Sequence, residues 1–174
     1  DTLSLHDALP ISLDFTRPLE LDIANVDLVE LARAAVASQS TRAERQEVRL
    51  VLELPKSESV LVRGDRSRLL RVLENLVRNA LDVSPKGTTI TTGLTVASGD
   101  AVLTVTDEGP GIDPELGERI FEPFVTTKRE GVGLGLAIVR KIIEAHDGEI
   151  SVQGREGGTC MTVTLPVARS SSPV

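Results

Sequence analysis

The stretch from Asp107 to Leu136, DEGPGIDPELGERIFEPFVTTKREGVGLGL, decides how the rest of the chain is read. It holds two glycine clusters: Gly109 and Gly111 after an alternating run, and Gly131, Gly133 and Gly135 before a helix-like run. Glycine at this density lets backbone approach a ligand closely and adopt positive φ, so successive N–H groups can converge on an anion. The second cluster leads into Leu136–Ala137–Ile138–Val139. That places it at a helix N-terminus, where unpaired amides and a partial positive charge attract phosphate. The first cluster follows Asp107, which ends the strand-like alternation of Ala101 to Thr106. Glycines put no bulky wall beside this carboxylate, leaving it open to accept from a donor such as an exocyclic amine.

The bulk properties narrow the classes. A chain of 174 residues, 40% hydrophobic and 26% charged, suits one soluble globular domain with a sizeable core. A net charge of −7 argues against a nucleic-acid partner, which would need basic side chains to meet phosphates. The single cysteine, Cys160, cannot form an internal disulfide, and no Cys/His metal cluster is spaced in the sequence. No apolar run approaches the roughly 20 residues of a membrane span, so no direct membrane contact is expected. The aromatic residues are Phe15, Phe121 and Phe124, too few for a base-stacking platform.

Asp1 to Ser12 fits neither helical nor strand period and reads as a leader that is disordered or foreign to the domain. Residues 13–18 resemble a helix end stopped by Pro18, Leu19 to Ile23 a short strand, and residues 169–174 a polar, disordered tail. Asp27 with Glu30 has the spacing of a helix start, followed by an apolar face of Leu28, Leu31, Ala32, Ala35 and Val36 on one helix ending near Arg45. Val48 to Leu54 and Val60 to Val62 read as strands, with Gly64 and Asp65 turning into a helix from Arg66 to about Val83. On that helix Leu69, Leu73, Leu76 and Ala80 share one side, while Arg71, Asn75, Asn79 and Asp82 line another. Two asparagines one turn apart are costly in a helix. Ligation of a hard cation such as Mg²⁺ by their carbonyls is one reason for them; a merely solvated pair is the plain alternative. Thr88 to Val96 and Ala101 to Thr106 predict a hairpin around Ser98–Gly99–Asp100. Asp113–Pro114 predicts a short helical turn, Phe121 to Glu130 a mobile loop, and Leu134 to Ala145 a third helix with the face Leu134, Ile138 and Ile142. Gly148 to Gln153 and Thr159 to Pro166 close the fold as strands. The order implies a two-layer α/β sandwich, a mixed and mainly antiparallel sheet packed on three helices.

Singly, these motifs are weak; their joint order is not. Asn75-xxx-Asn79, then Asp107-x-Gly109-x-Gly111, then Phe121–Glu122–Pro123–Phe124, then Gly131-x-Gly133-x-Gly135–Leu136 resembles the ATP-binding catalytic domain of sensor histidine kinases, from about residue 19 to 168. That domain belongs to the GHKL group shared with gyrase, Hsp90 and MutL, and the Phe124–Lys128 loop looks most like its nitrogen-regulator branch. The resemblance implies roles. Asp107 would accept from the adenine amino group, with Thr159 assisting, and Asn75 and Asn79 would ligate Mg²⁺ and contact phosphate. The backbone of Gly131, Val132, Gly133, Leu134, Gly135 and Leu136 would hold the phosphates. Asp82, Gly109, Gly111, Ile112, Phe121 and Thr127 would complete the ATP site, with Phe121 and Phe124 anchoring a lid. Lys128 would reach the terminal phosphate, or else is one exposed cation of a polar loop.

The hydrolases of the group carry glutamate at the position of Asn75, where it activates water. Asparagine cannot act as that base, so slow hydrolysis is expected. A histidine on a separate dimerisation hairpin would then take the γ-phosphate for relay to a response regulator receiver domain. His6 is a poor candidate acceptor, and His146, before Asp147–Gly148, is read as a helix C-cap. A GHKL ATPase, an anti-sigma-type serine kinase and a nucleotide-sensing module without transfer activity are the alternatives. The resemblance implies a cytoplasmic domain, monomeric by itself, that exchanges ATP for ADP.

Overall fold

The structure, a computed structural model, describes residues 17–125 and 135–169. Its main sheet has five strands in the order β2-β4-β5-β7-β6: β2 (Arg49–Glu53), β4 (Thr89–Ala97), β5 (Asp100–Asp107), β6 (Glu149–Arg155) and β7 (Gly158–Pro166). Only the β2–β4 pair is parallel. A separate two-stranded ribbon pairs β1 (Ala24–Asp27) with β3 (Leu61–Gly64). Helices α1 (Leu28–Ser38), α2 (Ser40–Gln46), α3 (Arg66–Val83) and α4 (Gly135–Ala145) form the second layer. The mixed, mainly antiparallel α/β sandwich is therefore as expected, with four helices in place of three.

The central strand shows how the layers divide. Along β5, Ala101, Leu103, Val105 and Asp107 are buried, and the residues between them are half-exposed. The inner set meets Leu69, Leu73, Leu76 and Ala80 of α3, the side that the leucine spacing marks out. Helix α3 lies between α1 and α4 and contacts both. The β4–β5 hairpin closes on Ser98 (φ 54) and Gly99 (φ 85). Positive φ at both central residues matches the turn to the right-handed twist of its strands, and glycine adopts it without a Cβ penalty.

Three local expectations change. The first strand is Ala24–Asp27 rather than 19–23, because its hydrogen bonds come from the register Ala24↔Gly64 to Asp27↔Leu61. The first helical region is two helices, broken at Gln39 (φ −104, ψ 0), with Ser38 Oγ turned back onto Ala35 O. A hydroxyl bonding to its own helix competes with the backbone ladder at that break. On α4 the buried residues are Ala137, Val139, Ile142 and Ile143, while Ile138 is only half-buried; α4 packs between α3 and β6, which rotates its buried face from the one expected. Leu134 lies outside the described residues.

The starts of α1 and α3 are capped by the aspartates that precede them. Asp27 Oδ1 accepts from Val29 N–H at 3.0 Å and Val60 N–H at 3.1 Å, so one carboxylate caps α1 and ties it to the chain entering β3. Asp65 caps α3 through Arg68 N–H and also accepts from Ser67 Oγ and, at 3.0 Å, from Asp22 N–H. Burial pushes the Asp65 carboxyl up, but these hydrogen bonds and the Arg68 charge outweigh it and hold it below the ordinary aspartate value. His146 completes this corner. Its Nδ1–H donates to Ile142 O at 2.7 Å and its Nε2 accepts from Asp65 N–H at 2.9 Å, which fixes the neutral tautomer. Asp147 then takes the left-handed conformation, φ 57, that ends α4. His146 is thus a structural cap that also joins α4 to α3. Replacing it with alanine orphans a buried N–H and leaves a cavity; urea unfolding of His146→Ala is expected to show a loss of about 2–3 kcal/mol, typical of an orphaned buried donor.

Candidate functional site

The carboxyl of Asp107 stands at the end of β5, where the sheet stops and the chain turns back. It is 7% exposed. Its Oδ1 accepts from Gly109 N–H at 2.9 Å, and Thr159, its register partner on β7, offers a backbone N–H. Burial raises the carboxyl above the ordinary aspartate value, and the two N–H groups oppose that only in part. The pairing explains why Thr159 belongs to this corner.

Glycine is required here by space. A Cβ on Gly158 would lie 1.9 Å from Asp107 O, so no side chain can precede Thr159 without moving the acceptor. A Cβ on Gly109 would meet Val83 O at 2.9 Å and Asp107 Oδ1 at 3.0 Å. The loop after β5 is therefore pressed onto the C-terminal end of α3, which brings the carboxylate corner against the helix that carries the asparagines. Gly111, φ 83, turns this loop over the β6–β7 hairpin near Gly158 O and Arg155 O, and half-buried Ile112 follows it.

On the helical wall Asn75 is 7% exposed, so it is not a solvated residue. Its Oδ1 accepts from Arg78 Nη2 and lies 3.6 Å from where a Cβ on Gly135, the first residue of α4, would stand. The amide oxygen thus faces the start of the helix that the second glycine cluster leads into. Asn79 is half-buried one turn on, and half-buried Leu136 is in the first turn of α4. Asp82 carries an ion pair with Arg42 of α2, which binds the end of α3 to the smaller helix.

Phe121 is 2% exposed, at the end of a short 3-10 helix, Gly117–Phe121, and belongs to the core. At Phe124, expected with Phe121 to anchor a lid, φ 68 turns the chain and leaves the ring 70% exposed. Thr127, Lys128, Gly131, Val132, Gly133 and Leu134 lie outside the described residues, as do His6 and residues 1–12. Sequence reasoning missed Gly158 and Arg78. The Gly157–Gly158 pair before a strand was the available signal for the first; an arginine on a helix surface gives none. No helix among the described residues is long and apolar enough to cross a membrane.

Residues 64–169 match the family described as histidine kinase-, DNA gyrase B- and HSP90-like ATPases, and the chain belongs to that family. The sensor histidine kinase ZraS of Salmonella typhi is 38% identical over 158 residues, 89% of this chain and 34% of that protein. The chain therefore spans about a third of the length of that relative. The solved catalytic domain of histidine kinase ThkA is 34% identical with a TM-score of 0.77, over 83% of this chain and 95% of that one. Full-length ShkA in complex with AMPPNP gives a TM-score of 0.83 at 30% identity, over 97% of this chain and 36% of that one. The domain is thus a histidine-kinase-type, ATP-binding catalytic domain.

Burial of Asp107 makes a stability prediction whose sign is fixed. A carboxyl whose folded pKa lies above its unfolded value binds protons more tightly in the native state, so its contribution falls as pH rises through that window. Asp107→Asn keeps an acceptor for Gly109 and removes the buried charge. Denaturation of the two proteins from pH 4 to pH 7 is expected to show the variant gaining on the wild type as pH rises, and to be no less stable at pH 7.

Proposed function

We propose that this chain, with residues 19–168 as its folded unit, is the Mg·ATP-binding catalytic domain of a two-component sensor histidine kinase. It passes the ATP γ-phosphate to a histidine on a separate dimerisation hairpin, for relay to a response regulator. The observation that carries this reading is that the loop after Asp107 packs on the end of the helix that carries Asn75, 32 positions earlier in the sequence, while Asn75 Oδ1 faces Gly135 at the start of α4. The folded unit begins before the family match because Leu19 packs on the core and Asp22 N–H binds Asp65.

Each wall supplies one kind of recognition. The Asp107 carboxylate, held by the Gly109 and Thr159 N–H groups, would accept from the adenine amino group. Asn75 and Asn79 offer hard oxygen donors suited to Mg²⁺. When bound, the metal supplies charge neutralisation between the phosphates. The start of α4 and the glycines before it offer backbone N–H groups to the phosphate oxygens. The acceptor imidazole attacks the γ-phosphorus with its nitrogen lone pair, forming the N–P bond as the bond to the β–γ bridging oxygen breaks and ADP leaves. Asn75 is neutral and its oxygen is already an acceptor, so it cannot deprotonate water. The phosphoryl group is kept for the protein acceptor. A structure of ThkA bound to the response regulator TrrA supports the relay step, and the AMPPNP complex of ShkA supports the nucleotide. A domain that takes its phosphate from ATP would, on this reading, act in the cytoplasm.

Isothermal titration is expected to show ATP binding that collapses when Mg²⁺ is chelated. ATP should be preferred over inosine triphosphate, which lacks the amino group. Asp107→Ala is expected to weaken ATP binding roughly 10- to 100-fold, the value of a hydrogen bond to a charged group, and to erase that preference. ATP binding undiminished by Asp107→Ala would refute the adenine assignment. With ³²P-labelled ATP the domain alone should release phosphate slowly and label an added hairpin domain on histidine; rapid release without an acceptor would favour a hydrolase.

A further inference from the structure

We propose that Arg78 is a positioning residue that occupies the metal-ligating oxygen of Asn75 in the nucleotide-free protein and is exchanged for the cation when Mg·ATP loads. The inference rests on the reading of the cleft given above. Arg78 lies on the exposed side of α3, and its Nη2 donates to Asn75 Oδ1 at 2.5 Å. A guanidinium has donors only, so this contact sets the amide with its oxygen toward the arginine and its NH₂ away. The same oxygen faces Gly135 at the start of α4. On a side chain this buried, a carbonyl without a donor costs the desolvation of an unpaired acceptor. Arg78 removes that cost while its own charged end stays at the solvent edge.

The arrangement gives the arginine the place of a cation. A divalent ion ligated by Oδ1 would put like charges within roughly 5 Å of each other, which is repulsive even at the dielectric of a protein surface. One of the two must leave. Because Arg78 has an exposed side chain, it swings outward at little cost, whereas Asn75 is held by the core on either side of it. The guanidinium therefore competes with the metal for that oxygen, which a surface arginine that only adds solubility would not do.

Binding of a non-hydrolysable ATP analogue, titrated with Mg²⁺ in the wild type and in Arg78→Met and Arg78→Gln, tests this. Methionine and glutamine are good helix formers, and thermal melting confirms that both variants fold. The Mg²⁺ concentration for half-maximal analogue binding is expected to fall about fivefold in both variants, the factor carried by a hydrogen bond of about 1 kcal/mol. Arg78→Lys, which retains the charge, is expected to stay near the wild type. In ¹⁵N spectra of the wild type the Arg78 guanidinium signals should shift on adding analogue with Mg²⁺ and not on adding analogue with chelator. An unchanged or raised Mg²⁺ requirement in both variants, with analogue binding intact, overturns the role of Arg78 alone. Failure of the wild type to bind the analogue at any Mg²⁺ concentration overturns the nucleotide cleft and this role with it.

Discussion

One helix has to satisfy two environments at once, and the rest of the molecule is arranged around that constraint. Helix α3 buries Leu69, Leu73, Leu76 and Ala80 against the sheet while Asn75, on a neighbouring side, is almost as deeply enclosed. An amide so placed is tolerable only with its polar atoms engaged. Arg78 engages the oxygen, and the start of α4 closes over it. The apolar stripe fixes the rotation of α3 about its axis. Because the stripe is fixed, so is the direction in which the asparagine points.

The position of α3 along its axis is set at its other end. Asp65, which caps the helix, is joined by Asp22 from the segment before β1 and by His146 from the end of α4. Arg68 reaches Glu20 O, and Lys141 of α4 reaches Arg17 O, so both long helices bind the segment that enters the domain. These contacts are polar and local, whereas the stripe is apolar and extended; together they hold the helix in rotation and translation. Residues 17–23 thus bear on the element that carries Asn75 through hydrogen bonds as well as through Leu19 on the core.

How much of this was legible in the sequence follows from the kind of interaction involved. Helix α3, strand β5 and the Ser98–Gly99 turn were readable because their signals are local: a leucine period, an alternation, and a residue pair suited to positive φ. The break at Gln39 was not, since it depends on a hydroxyl choosing its own backbone over solvent. The exposed ring of Phe124 was not, because the backbone turn that parts it from buried Phe121 leaves no signal in the sequence. The grouping of Asp107 with Asn75 as one site came from the order of motifs in a known family, and not from any period. Contacts such as Gly158 on Asp107 O and Arg78 on Asn75 connect residues through tertiary placement alone.

The Ser98–Gly99 turn lies at the opposite end of β5 from Asp107. Seven strand steps, about 23 Å, separate them. A ligand-binding reporter, a fluorophore or an inserted module could be grafted at that turn and sense the sheet's twist without crowding the cleft. In evolutionary terms the same tip is where the fold can accept length variation at small cost, while the opposite end, with a glycine pressed on a carbonyl, can accept almost none.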